Sequence, residues 1–279
     1  VQRGVADLED AQTETGRAIH QLRKRCKKIR GALRLARPSL GKAYKVENAR
    51  YRDAARGLSD ARDARAMVET FEAIVDRYGD QVKRRSVAPI HRELEERSHH
   101  VNADAPHIYE KLRDLEQALM DGREALQGLT LDGNDAKTVT AGLEKTYRRG
   151  RDAMKDAYDE GTATAFHEWR KRVKYHWYHL RLLREAWPEV LCPWRDEADR
   201  LGKILGRHHN LCVLGDLVRD DRSAFGAKDS VSAFLGLVDQ MRSELEREAR
   251  PLGLRLFAEK PGALTRRFET YLSAWFDDA

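Results

Sequence analysis

His20, Arg23, Lys24, Lys27 and Arg34 stand in the segment AIHQLRKRCKKIRGALRL, and His167, Arg170, Lys171, Lys174 and Arg181 hold the same relative places in AFHEWRKRVKYHWYHLRL, 147 residues further on. These residue types hold anions. Lysine offers a point charge, arginine a planar fork that can take two phosphate oxygens, and histidine a further donor that strengthens on protonation. A ligand that uses all five at once must carry several negative charges along its length. An oligo- or polyphosphate, or a nucleic-acid backbone, meets that requirement, whereas one small carboxylate would engage only part of the set.

The spacing predicts that these cations share one face of a helix. At about 100° per residue, Ile19, Leu22, Cys26, Ile29 and Leu33 cluster on one side of the first segment, and Phe166, Trp169, Val173 and Leu180 on one side of the second. The cationic stripe lies roughly 130° round the cylinder from that apolar side. Nine of the eighteen aligned positions are identical, and most of those lie on the stripe: the core has exchanged Leu22 for Trp169 and Cys26 for Val173, while the charges have stayed. Like charges at i and i+4, such as Arg23 and Lys27, cost a few tenths of a kcal/mol per pair. A helix face meant only for water gains by alternating sign; this one does not alternate, so a missing anion accounts for it better.

Basic residues are gathered rather than spread. The 279 residues hold 52 Lys and Arg against 46 Asp and Glu, yet Thr15–Val46 contains eleven Lys or Arg and no carboxylate, and Trp169–Arg184 contains six with His176 and His179 and again no carboxylate. A mean hydropathy of −0.73 with 35% charged residues excludes a membrane-spanning class, since no apolar run approaches the roughly 20 residues a span needs. Cys26, Cys192 and Cys212 are few, odd in number and widely spaced, and the first residues lack the apolar run of a secretory signal; both point to the cytoplasm.

Apolar residues recur at helical spacing almost throughout, as in Met67, Phe71, Ile74, Val75 and Tyr78 or Val231, Phe234, Leu235, Val238, Met241 and Leu245. No stretch alternates in the manner of a strand. The expected fold is all-α, with the seven prolines between helices or at their starts. The 147-residue offset also places LSDARDARAM (Leu58 to Met67) on LGRHHNLCVL (Leu205 to Leu214) without a gap, which marks a tandem duplication into two helical bundles. Gly128 to Asp135 is the expected hinge, giving an N-terminal bundle over 1–130 and a C-terminal one over 135–279.

Rival chemistries find fewer residues. His208, His209 and Asn210 suggest a metal, but neighbours on a helix point about 100° apart, and no HExxH or carboxylate cluster accompanies them. His208 is expected as a channel donor and His209 as a surface or structural residue. A phosphatase or polyphosphate kinase needs carboxylates for Mg²⁺, a nucleophile or a phosphate-cradling loop. None is evident, and no GxxxxGK[ST] occurs, so a binding module without cofactor is expected rather than an enzyme. RNA or DNA binding through the same basic faces is the main alternative, and a metal-dependent phosphohydrolase a weaker one.

The two H-x-x-R-K-x-x-K helices, AIHQLRKRCKKIR and AFHEWRKRVKYHWYHLRLLREAW, followed by LSDARDA and LGRHHNLCVL, resemble the CHAD family, the conserved histidine α-helical domain. The resemblance runs from about Gly16 to the last helices. It implies two four-helix bundles related by a pseudo-two-fold axis, basic helices facing a central channel, and binding of inorganic polyphosphate rather than its conversion; the expected setting is the cytoplasm, at polyphosphate granules. By position, His20, Arg23, Lys24, Lys27, Arg34 and their five copies carry the family's basic motif, joined by Arg52, Arg56 and Lys203 from the next helix of each half and by His208. The chain departs from the family pattern at Arg65 and Asn210, and Arg52 aligns with Asp199, so the halves differ electrically.

Overall fold

The computed structural model describes residues 15–56, 60–81, 84–102, 105–127 and 136–277, with the side chains of 15–20, 60–63 and 101–109 left aside. The described residues form helices only: α1 (Thr15–Leu35), α2 (Arg37–Leu40), α3 (Ala43–Arg56), α4 (Asp60–Tyr78), α5 (Arg84–Asn102), α6 (Ala105–Gln127), α7 (Ala136–Glu160), α8 (Ala163–Leu183), α9 (Pro188–Asp220), α10 (Lys228–Leu256) and α11 (Pro261–Asp277), with a 3₁₀ turn at Arg184–Ala186. The all-α expectation is met. The hinge at Gly128 to Asp135 lies outside the described residues, as does the Leu58–Ser59 end of the second repeat block.

Local signals set the start of α8 sharply. Gly161 takes a φ of +64°, the left-handed conformation that suits a glycine closing a helix, and its N–H reaches the Ala157 carbonyl at 3.0 Å. Thr162 then caps α8, its hydroxyl accepting the Ala165 N–H at 3.1 Å. The prolines divide differently from expectation. Pro38, Pro106, Pro188 and Pro261 stand at helix starts, but Pro89, Pro193 and Pro251 lie inside α5, α9 and α10. Pro251 loses a backbone hydrogen bond in mid-helix. The helix continues past it because Leu252 and Leu256 are buried in the core, so apolar burial there outweighs the local loss.

Apolar packing does not follow chain order. Leu22, Cys26 and Leu33 of α1, Tyr44 and Tyr51 of α3, and Leu112, Leu115 and Leu119 of α6 make one cluster. The α4–α5 hairpin, through Phe71, Ile74 and Ile90, joins instead a larger cluster with α7 to α11. Phe71 meets Phe234 of α10 at 5.3 Å between ring centroids. At the repeat offset of 147, α3 and α4 fall on the first and last parts of the single long helix α9, and α5 falls within α10.

The repeated helices α1 and α8 touch each other. An added Cβ on Gly31 would stand 2.9 Å from the Tyr178 Cβ, so the backbone of α1 comes as close to α8 as a glycine allows. Gly31 plus 147 is Tyr178: the contact joins equivalent positions of the two repeats. His179 lies against the Gly31 backbone, and the Arg34 guanidinium sits 3.7 Å over the Tyr175 ring.

Candidate functional site

On a wheel of 100° per residue, Gly31 falls within roughly 80° of His20, Arg23, Lys24, Lys27 and Arg34, and Tyr178 bears the same relation to the five copies. The faces that meet at the Gly31–Tyr178 contact are therefore the cationic ones. Their cations flank the crossing on both helices. Lys24 and Lys27 are exposed and Arg23 and Arg34 half-buried; the His20 side chain lies outside the described residues. Burial first, then neighbouring cations such as Arg30, pulls Arg34 below the ordinary arginine range, against the Tyr175 ring it covers.

On α8 the stripe rests along α9, and two glycines make room for it. An added Cβ at Gly202 would fall 2.9 Å from the Lys174 Cδ, and one at Gly206 would lie 3.6 Å from the Arg170 Nε. Spaced four apart, Gly202 and Gly206 present one bare strip of α9 on which the two long stems lie. Lys174 reaches Asp199 at 3.2 Å and stands 4.5 Å over the Trp177 ring, which also lies under Arg181 at 5.6 Å. Burial lowers the Lys174 pKa even with Asp199 beside it. Burial would raise the Asp199 carboxyl, but the hydrogen bond from Lys203 and the charge of Lys174 outweigh it and hold it below the usual carboxylate range.

A family model for the CHAD domain matches residues 3–219. The chain belongs to the CHAD domain family. No curated protein and no solved structure matches it. The match ends within α9, yet α10 packs into the same CHAD fold: Gly253 is kept bare by Trp169, whose ring would lie 2.6 Å from an added Cβ.

Several side chains of this CHAD chain stand apart from their expected places. His208 is 2% exposed, under Phe166 at 4.6 Å between centroids, and its Nε2 bonds Glu246 at 2.8 Å. It is His209, expected as a surface or structural residue, that faces the stripe: its Nδ1 lies 3.1 Å from that of His167, so one ring donates and the other accepts. Adjacent residues on α9 point about 100° apart, and the close fit of Phe166 takes His208 into the core. Burial, with Lys171 and Arg170 adding to it, holds His167 below its ordinary pKa, and burial with His167 and Arg170 pushes His209 to about 4. The pair is neutral at pH 7.

His176 and His179, counted in the second basic block, are fully buried and contribute no charge: burial pushes each to about 3. Lys171 pairs with Glu168, as does Arg172 at 3.3 Å. Arg52 and Arg56 point outward, 46% and 73% exposed, and share Asp53, whereas Asp199 at the place equivalent to Arg52 turns in to Lys174. Lys203 is exposed and bonds Asp199 at 2.9 Å. Among the described residues no group of three or more His, Cys, Asp or Glu side chains is placed to hold a metal, and no helix is long and apolar enough to cross a membrane. Sequence reasoning missed Trp177 and Tyr175 as seats for cations. Their spacing from Lys174, Arg181 and Arg172 along α8, at i+3 and i+4, was the available signal.

Proposed function

We propose that this CHAD chain binds inorganic polyphosphate along the paired cationic faces of α1 and α8 and does not convert it. The observation that carries this reading is the contact between Gly31 and Tyr178: equivalent residues at the centres of both stripes touch, so one chain-like anion can meet both sets of cations. Several like charges on a single face repel one another, and a ligand with a charge on every unit relieves them together. In the neutral His167–His209 pair, the ring that accepts at Nδ1 keeps its Nε2–H as a donor beside Arg170. Attachment at polyphosphate granules in the cytoplasm is the setting this activity fits.

Competition separates this reading from nucleic-acid binding. Long-chain polyphosphate should displace a bound oligonucleotide at equal phosphate concentration, and failure to do so favours the nucleic acid. Salt dependence cannot discriminate, because either ligand releases counterions. Reversing Lys27 and Lys174 together to Glu should weaken polyphosphate binding by at least about tenfold, or about 1.4 kcal/mol, against little change for reversal of the exposed Arg84 and Arg85. Equal losses would mean diffuse charge. Pure protein should release no orthophosphate from polyphosphate; release that EDTA abolishes would make the protein a metal-dependent phosphohydrolase.

A further inference from the structure

Beside the end of α1 lies a small, half-open cleft that the duplicated motif reaches only through Arg34. Arg34 of α1, Arg37 of α2, Lys145 and Arg149 of α7, and Arg172 of α8 line it, with Tyr44, Thr146 and Tyr175. Five cations from four helices converge there, and no carboxylate lines the space. Arg172 pairs with Glu168, which it shares with Lys171.

The cleft is built by close approach. An added Cβ at Gly142 would fall on the Leu35 carbonyl oxygen and 2.7 Å from that of Arg34, so α7 abuts the last carbonyls of α1 with no side chain between them. Lys145, Thr146 and Arg149 stand three, four and seven residues after Gly142 and so share its face of α7. The C-terminal carbonyls of α1 are a reason for some positive charge here, but a helix end amounts to roughly half a negative charge. That offsets a fraction of one cation, not five. The mutual repulsion registers at Lys145, whose pKa is lowered by the charge of Arg37 first, then by burial and by Arg149.

We propose that the mouth of this cleft is a discrete site for a compact condensed phosphate, of pyrophosphate or tripolyphosphate size, formed mainly by α7 and sharing only Arg34 with the extended stripe. The arginine forks can each take two phosphoryl oxygens, and Lys145 supplies a point charge between Arg37 and Arg149. Four of its five cations lie outside the stripe, so the site stands whether or not long polyphosphate binds along α1 and α8. Its ligand is either a free short oligophosphate or the end of a long chain, which present the same terminal phosphoryl group.

Isothermal titration with pyrophosphate, tripolyphosphate and long-chain polyphosphate tests it. Lys145 and Arg149 are exposed, so Lys145→Glu/Arg149→Glu should fold, as helical circular dichroism will check. It should lose tripolyphosphate affinity at least about tenfold. Arg148→Glu/Lys155→Glu, the same charge change on exposed positions of α7 outside the cleft, should lose less than threefold. The stripe variant Lys24→Glu/Lys27→Glu should keep tripolyphosphate binding and lose long-chain binding. Unchanged tripolyphosphate affinity in the cleft variant, or equal losses in all three variants, overturns the proposal. A cleft variant that also weakens long chains identifies the ligand as a chain end; one that leaves them untouched identifies a free oligophosphate.

Discussion

In α1, Ala18–Leu35 carries seven Lys or Arg and no acid; in α8, the equivalent Ala165–Leu182 carries five and Glu168. The contact residues repeat, but their surroundings do not. Gln21 stands where α8 has Glu168, and Arg52 where α9 supplies Asp199. The second stripe is accordingly held in place, with Lys171 on Glu168 and Lys174 between Asp199 and Trp177, while Lys24 and Lys27 of the first are exposed. At Ile29 and Ala32 the second copy has His176 and His179, buried and neutral. The second copy has an acid set among its cations, and the first has none in its helix. The sequence repeat keeps the cations at equivalent positions, while the packing around them differs.

The largest effect expected from this difference is on acid stability. His176 and His179 have folded pKa values near 3, below the roughly 6.5 of an unfolded chain. Between those values the unfolded state binds more protons, so stability is complete above about pH 6.5 and falls as pH drops towards 3. The slope is up to about 1.4 kcal/mol per pH unit for each histidine. Denaturant midpoints at pH 7, 6 and 5 should show it, and His176→Ile/His179→Ala, which copies the first repeat, should flatten the profile. An unchanged slope would show that these rings do not set the acid limit.

Next comes the contact between the copies. Gly→Ala inside an exposed helix stabilises by about 0.5 to 1 kcal/mol, the gain expected at Gly236, which has open space around it. Gly31→Ala should do the reverse and cost about 1 to 3 kcal/mol, because its methyl group meets Tyr178. Opposite signs in thermal melts of the two variants would confirm that α1 and α8 are locked face to face; a gain at both sites would break the comparison.

The smallest effect concerns the fixed partners. Asp199→Asn releases Lys174 and Lys203, and Glu168→Gln releases Lys171 and Arg172. Partly exposed pairs are worth about 0.2 to 1 kcal/mol, so each change should tighten polyphosphate binding by no more than about fivefold. A weaker complex would mean that holding the lysines in position matters more than freeing their charge.

Helical periodicity made the all-α fold legible in the chain, because burial of one face every 3.6 residues leaves its mark wherever a helix packs on a core. The stripes were legible for a different reason: two copies allowed the kept charges to be separated from the exchanged core. Three prolines inside helices were not, since only the buried residues after Pro251 outweigh its local cost. The burial of His208 was not legible either, as adjacent residues are equally eligible to face the stripe until Phe166 covers one of them.

What the residues determined alone is which side chains are charged, how often they recur and which face of a helix they share, all fixed by covalent order and helix pitch. Which faces meet depended on groups distant in sequence. Gly31 against Tyr178, Lys174 on the bare strip of Gly202 and Gly206, and the five cations around Gly142 each arise from shapes that touch only after folding. Close packing is a property of pairs of surfaces, and no single segment carries the information about its partner.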